Sequence, residues 1–301
     1  MARADRKRSV VRVNHSLREV AMHTTPTAAV GPHDEQSGTR TVNGVRLYYE
    51  EHGSGVPILC IHGAGSSALV WSDAVRELAR LGRAIAYDRR GCTRSERPEP
   101  YERTSVAEHA DDAAALLDAL ADAPAVVVGR SYGATVATDL ALRRPDRVRA
   151  LVLLEGDAPR ELAPATARWG DALAARMREV AARAGVDAVA EALIGEVAGE
   201  GAWLSFPDEL RRVLTQNGPA ILAEVRGEWW LQADAAALAT VHQPALLVAA
   251  ADSPPELRQP TEAMARVLPH ARAVTVGGGH LIDPAAPQVL GFIEEVLRDY
   301  G

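Results

Sequence analysis

Lysine is all but missing from this sequence. Lys7 is the sole example, so arginine carries nearly all the positive charge among the 33 Lys and Arg residues. With alanine abundant, this is a codon-composition bias more than a chemical signal. Asp and Glu number 40, for a net charge of -7. No basic stripe interrupts that balance, so a nucleic-acid partner is not expected, and the acidity serves solubility. Cysteine is scarce: Cys60 falls in an apolar run and Cys92 in a loop. Two free thiols in a reducing, cytoplasmic setting are expected, not a disulfide framework. No apolar run approaches the length of a membrane span. The first forty residues are basic but lack an uninterrupted apolar core, so no secretory signal is expected. Residues 1–38 read as a mostly disordered N-terminal extension, with a short helix near 15–22. Beyond that arm there is no internal repeat and no low-complexity tract.

What is present is size and a central motif. A chain of 301 residues, 47% hydrophobic, can form one large α/β domain with an insertion, or two small domains. Val126 to Val128 is a β-branched run that reads as a strand buried on both faces. Gly129-Arg130-Ser131-Tyr132-Gly133 follows, a Gly-x-Ser-x-Gly motif. Ala134, Val136, Ala137 and Leu140 then recur at helical spacing. Strand, tight turn and helix in that order make a nucleophile elbow. The serine is forced toward strained dihedrals, and its neighbours must lack side chains for the turn to close. The Ser131 hydroxyl is thereby lifted above the sheet, and the helix start points its positive end at the reacting group.

Alternation over 40–52 predicts a hairpin turning at Asn43-Gly44. Strands are predicted at Pro57–Ile61, Ala84–Tyr87, Val148–Leu154, Ala245–Ala249 and Ala273–Val276. Helices are predicted at about 68–81, at Val106–Ala121, at about 262–268 and at 286–300. Residues 158–240 change character: they are helical, rich in Ala and Arg, and carry Trp169, Trp203, Trp229 and Trp230. The expectation is an α/β fold, a mainly parallel doubly wound sheet made of 39–157 and 241–301, with a helical cap inserted at 158–240.

Four features in chain order resemble the α/β-hydrolase fold, in its capped, serine-esterase-like branch. They are His62-Gly63 with Gly65 after a strand, Asp88-x-Arg90-Gly91 with Ser95, the Ser131 elbow, and Gly277-Gly278-Gly279-His280 before the last helix. The resemblance covers roughly 40–300. It implies Ser131 as nucleophile and His280, in the loop before the last helix, as its base. The backbone N–H groups of Tyr132 and Ala64 would form the oxyanion hole. For the acid, the resemblance leaves two positions. The commoner arrangement puts it after the strand that follows the cap, where Asp252 precedes the aligned Ser253. A second arrangement, seen in dehalogenase-like relatives, puts it after the strand following the elbow. There Glu155 stands at the expected spacing, with Asp157 nearby, and Glu155 is the favoured of the two. The remaining histidines read as bland: His62 in the glycine turn, His109 on a helix face, His15, His23 and His33 in the arm, and His52, His242 and His270 near element ends.

The resemblance implies a hydrolase that cleaves a carboxylic ester, thioester or lactone through an acyl-enzyme, with no cofactor and no metal. Relatives that open epoxides or release halide use a carboxylate nucleophile, which Ser131 replaces. Cofactor-free perhydrolysis, C–C bond hydrolysis and a small-ligand receptor with little turnover are alternatives on the same residues. The cap tryptophans suggest a small-molecule substrate with an apolar group. Arg130 could meet an anionic group near the mouth, or be a solvated or ion-paired arginine. Cys92 could line the pocket without reacting.

Overall fold

The computed structural model describes residues 36–299. Positions 1–35 of the predicted extension, with the short helix near 15–22, lie outside the described residues, as do Tyr300 and Gly301. Gln36 to Gly38, assigned to the extension from sequence, instead pair with Tyr49 to Glu51 in the first hairpin. Its strands are β1 (Gln36–Val42) and β2 (Val45–His52). They turn at Asn43-Gly44, both at positive φ, as such a two-residue connection requires.

The sheet has eight strands. The others are β3 (Pro57–Ile61), β4 (Arg83–Tyr87), β5 (Ala125–Arg130), β6 (Val148–Leu154), β7 (Ala245–Ala250) and β8 (Ala271–Val276). Their order is β1-β2-β4-β3-β5-β6-β7-β8. Pairing is antiparallel up to the β2–β4 contact and parallel from β4 onward. The alternation of side chains explains the two covered faces. Leu59, Ile61, Val127, Leu151 and Leu153 enter one apolar cluster with α2 (Val106–Leu120) and α3 (Tyr132–Arg143). Ile58, Cys60, Val126, Val128, Val152 and Leu154 enter the other, with α1 (Ser72–Leu78) and α11 (Pro287–Asp299). Each such side chain contributes about 1.5–3 kcal/mol on full burial, which is why these strands are continuous apolar runs.

Two helices depart from expectation. The one predicted over 68–81 opens as a 3₁₀ turn, Ala68–Trp71, where Asp88 Oδ1 accepts the Ala68 N–H at 2.7 Å. It closes early, with Arg80 and Leu81 bonded three residues back to Glu77 and Leu78 in a tightened last turn. The helix predicted near 262–268 is α10 (Pro255–Ala265). A proline ordinarily interrupts a helix, which masks the turns on the near side of Pro260. Here Pro255, preset for a first turn, begins the helix, and Pro260 sits inside it.

Between β6 and β7 the chain is helical, with α4 (Pro164–Ala184), α5 (Val189–Ala198), α6 (Ala202–Ser205), α7 (Asp208–Gln216), α8 (Gly218–Arg226) and α9 (Ala235–Leu238). This insertion has its own apolar cluster, including Met177, Ile194, Leu214 and Leu222, against which Ala64, Val70 and Leu281 of the strand-end loops pack. Asn217, buried between α7 and α8, fastens it to those loops. Its Nδ2 donates to the Gly65 and Ser66 carbonyls at 3.1 and 2.8 Å, and its Oδ1 accepts the Thr93 N–H at 2.7 Å. Among the described residues, no helix is long and apolar enough to cross a membrane.

Candidate active site

The elbow explains its own glycines. Ser131 sits at φ 55, ψ -126 between β5 and α3, a conformation most side chains avoid. A Cβ on Gly129 would fall 2.3 Å from the Gly133 carbonyl oxygen, and one on Gly133 would fall 2.1 Å from that of Ile61. Neither contact is tolerable, so both positions exclude every residue but glycine. Ser131 N–H still donates to the Leu154 carbonyl at 2.8 Å, holding the turn on the strand end.

Glu155 ends β6 in a second strained conformation, at φ 48. Its side chain is buried and accepts three hydrogen bonds. The Ala250 N–H donates to Oε1 at 2.8 Å, and Ser253 Oγ donates to Oε2 at 2.9 Å. His280 Nδ1 lies 2.7 Å from Oε2. With the carboxylate ionised, Nδ1 carries the proton and Nε2 keeps its lone pair. His280 and Glu155 are each 3% exposed, so solvent does not compete for this contact. Ser131, Glu155 and His280 line one cavity. Among the described residues no hydrogen bond joins Ser131 to His280, a contact that often tightens only when substrate binds.

Asp252 is not part of this cluster. It is exposed in the turn after β7, where its N–H donates to the Gly278 carbonyl at 2.9 Å. The loop does not make the shift that would bring it to His280. Its neighbour Ser253, the residue aligned with the commoner acid position, turns inward and supports the Glu155 carboxylate instead. Asp157 also lines the cavity. It is bonded to Thr135 Oγ1 at 3.2 Å, and burial pushes its carboxyl up to about 7. Sequence reasoning missed Ser253 and named Asp157 only as a neighbour. The one signal for Ser253 was its aligned position.

The glycine turn after β3 lies opposite the elbow. Gly63 approaches so closely that a Cβ there would sit 3.2 Å from the Arg130 carbonyl oxygen and 3.4 Å from Ser131 Cβ. His62 is buried and structural: its Nε2 accepts the Arg89 N–H at 2.9 Å, leaving Nδ1–H to donate to the Gly63 carbonyl at 2.8 Å. Burial, and then the Arg89 charge, hold His62 well below the ordinary histidine range, so it is neutral. Among the described residues, neither the Ala64 nor the Tyr132 N–H donates to a protein acceptor. Both residues line the cavity.

The rest of the wall is apolar and comes mainly from the insertion, including Leu193, Ile194, Phe206 and Leu214. Trp169, Trp229 and Trp230 join it, whereas Trp203 packs on Phe206, with ring centres 6.4 Å apart. The cavity holds about 100 Å³, less than the engineered cavity of about 150 Å³ that takes benzene. Arg130 is partly buried beside it. Its Nη1 donates to the Ile282 carbonyl at 3.4 Å, and burial pushes its guanidinium down to about 10, with Asp283 pulling it back. No carboxylate pairs directly with it among the described residues, so the ion-paired expectation is not met. Cys92 is buried away from the cavity, its thiol pushed up to about 12 by burial. Burial first, then Arg89, also depresses His109, which touches Arg89. His52, His242 and His270 do not line the cavity, and His15, His23 and His33 lie outside the described residues. No group of three His, Cys, Asp or Glu side chains among the described residues could hold a metal ion.

Residues 56–282 match the sequence model of a family described as alpha/beta hydrolase fold. An uncharacterized hydrolase, YraK, from Bacillus subtilis (strain 168) is 37% identical over 116 residues, covering 38% of this chain and 43% of that protein. A 2-hydroxymuconate semialdehyde hydrolase from Pseudomonas sp. (strain CF600) is 40% identical over 116 residues, covering 37% and 40%. The match thus spans about two fifths of the length of these curated relatives. Among solved structures, a thermophilic esterase from Thermogutta terrifontis superposes with a TM-score of 0.69 at 26% identity, covering 88% of this chain and 98% of that one. A structure reported with carboxylesterases of Nitrososphaera gargenis gives 0.71 at 22% identity, covering 88% and 100%, and shares the fold.

Proposed function

Because the chain belongs to the α/β-hydrolase fold family, we propose that it is a serine hydrolase cleaving a carboxylic ester, thioester or lactone through an acyl-enzyme. The observation that carries this reading is the buried Glu155–His280 contact at 2.7 Å in the cavity lined by the elbow serine. In the proposed mechanism, His280 Nε2 takes the Ser131 proton as Oγ attacks the acyl carbon. The oxyanion is met by the Ala64 and Tyr132 N–H groups, and the imidazolium then protonates the leaving oxygen or sulfur. Water, activated by the same imidazole, hydrolyses the acyl-enzyme. Glu155 fixes the His280 tautomer and stabilises its charged form. No cofactor or metal enters this chemistry.

The insertion serves as a cap that shapes the acyl pocket. A cavity of about 100 Å³ walled by tryptophan and leucine side chains favours a small molecule with a short apolar acyl group. The two buried free thiols fit a reducing, cytoplasmic location. The test is hydrolysis of p-nitrophenyl acetate by S131A. Turnover should fall by at least about 10³-fold while the protein stays folded, and unchanged turnover would overturn the mechanism.

A further inference from the structure

One buried ion pair joins the helical insertion to the turn that is proposed to receive the oxyanion. Arg89 follows β4 and is fully buried; Glu224, on α8, is 1% exposed. Glu224 Oε1 lies 2.7 Å from Arg89 Nη1. Burial works against the Arg89 charge, and Glu224, with smaller contributions from Cys92 and Tyr132, restores it; burial in turn pushes the Glu224 carboxyl up, and Arg89 pulls it back. The other side of the guanidinium faces the glycine turn. Nη2 donates to the Gly63 carbonyl at 2.9 Å, and Nε donates to that of His62 at 3.2 Å. Its Cζ lies over the ring of Tyr132, the residue after the nucleophile, 4.7 Å from the ring centre.

The peptide bond turns these contacts into a statement about direction. In a trans peptide the C=O and the N–H point opposite ways. The Gly63 carbonyl is held by Arg89 Nη2 and by His62 Nδ1–H. Holding that oxygen toward Arg89 turns the N–H of the same peptide, that of Ala64, the opposite way; Ala64 lines the cavity, and its N–H has no protein acceptor among the described residues. Arg89 therefore sets one proposed oxyanion donor through its carbonyl and braces the residue that supplies the other. A guanidinium with no counter-charge in this interior would not stay put. Glu224 supplies that counter-charge from the insertion.

We infer that Glu224 is a positioning residue for the reaction: through Arg89 it aims the oxyanion donors, so the helical insertion takes part in catalysis as well as in shaping the pocket. This rests on the acyl-transfer reading above. Hydrogen bonds aimed in advance at a developing oxyanion act on the transition state, so their loss falls on kcat and spares KM.

The test uses the full chain and two readouts, steady-state hydrolysis of p-nitrophenyl acetate and inhibition by an alkyl trifluoromethyl ketone. Ser131 Oγ adds to the ketone carbon, its proton passes to His280, and the resulting oxyanion occupies the same donors. E224L strands the Arg89 charge and can fail to fold. The charge-free pair R89M/E224L and the milder E224Q therefore carry the test, with circular dichroism confirming the fold. The expected result for R89M/E224L is a kcat loss of roughly 10–100-fold, part of what deleting a donor costs. KM should stay within about threefold and the ketone Ki should rise by the same factor as kcat falls. E224Q should show the same split with a smaller loss. A folded R89M/E224L whose kcat and ketone affinity stay within about twofold of wild type, or in which KM alone moves, overturns the inference. A folded wild type that neither hydrolyses the ester nor forms the ketone adduct overturns the acyl-transfer reading itself, a different outcome.

Discussion

The loops that end β6 and β7 lie side by side, and each carries a carboxylate within reach of a role. Glu155 is buried, strained to positive φ and saturated with three hydrogen bonds. Asp252 is exposed, and among the described residues its backbone alone is engaged. The two differ little in chemistry and entirely in surroundings. A carboxylate can orient a histidine only where water is kept from both and where donors hold its other lone pairs. Between these loops that condition is met at the end of β6. The β7 loop contributes a hydroxyl, Ser253, in place of an acid.

Substitutions at these two strand ends can break that contrast. E155Q should lower kcat by about 10⁴-fold, as loss of the tautomer-setting acid does in the Ser-His-Asp template. Adding S253D should recover at least about tenfold if the β7 position can host the acid; esterase kinetics on the folded variants reads both. S253A removes one of three donors to Glu155 and should cost about 1 kcal/mol of the contact, roughly five- to tenfold in kcat. Asp157, on the β6 side, sharpens the comparison through pH. Its folded pKa, pushed up to about 7, lies above its unfolded value near 4. The native state therefore binds the extra proton between those values, and stability is lost as pH rises through that window. Against D157N, the wild-type melting temperature should fall by roughly 5–10 °C from pH 4 to pH 8; a scanning-calorimetry series tests the sign. Smallest of all, D252N should leave kcat/KM within about twofold.

The strands and the elbow were legible because buried β-branched runs and paired glycines are local signals. Pro57–Ile61 and Val148–Leu154 emerge with the predicted bounds. Gly129 and Gly133 could be read because the clash each avoids is built into the turn itself. Helix ends were harder. Pro260 hides the start of α10, and the 3₁₀ turn at Ala68–Trp71 meets Asp88 from another strand end. Within the candidate site, His280 and Glu155 were reachable through resemblance, since neither spacing nor composition pairs residues so far apart in the chain. The Arg89–Glu224 pair was not legible at all, and for Ser253 only its aligned position was, not its support of Glu155. Each depends on which side chains the finished fold brings together, and a charged residue in an alanine-rich helix looks like any other solvated one until its burial is known.

Asn217 gives the seam between insertion and sheet its character. Drawing out an amide that satisfies both its ends against Gly65, Ser66 and Thr93 leaves the two buried carbonyls and the Thr93 N–H without their partner. The insertion is thus tied to the sheet at the glycine turn, where the cavity wall is least free to move. Lifting α7 and α8 together therefore has to break these three hydrogen bonds at once.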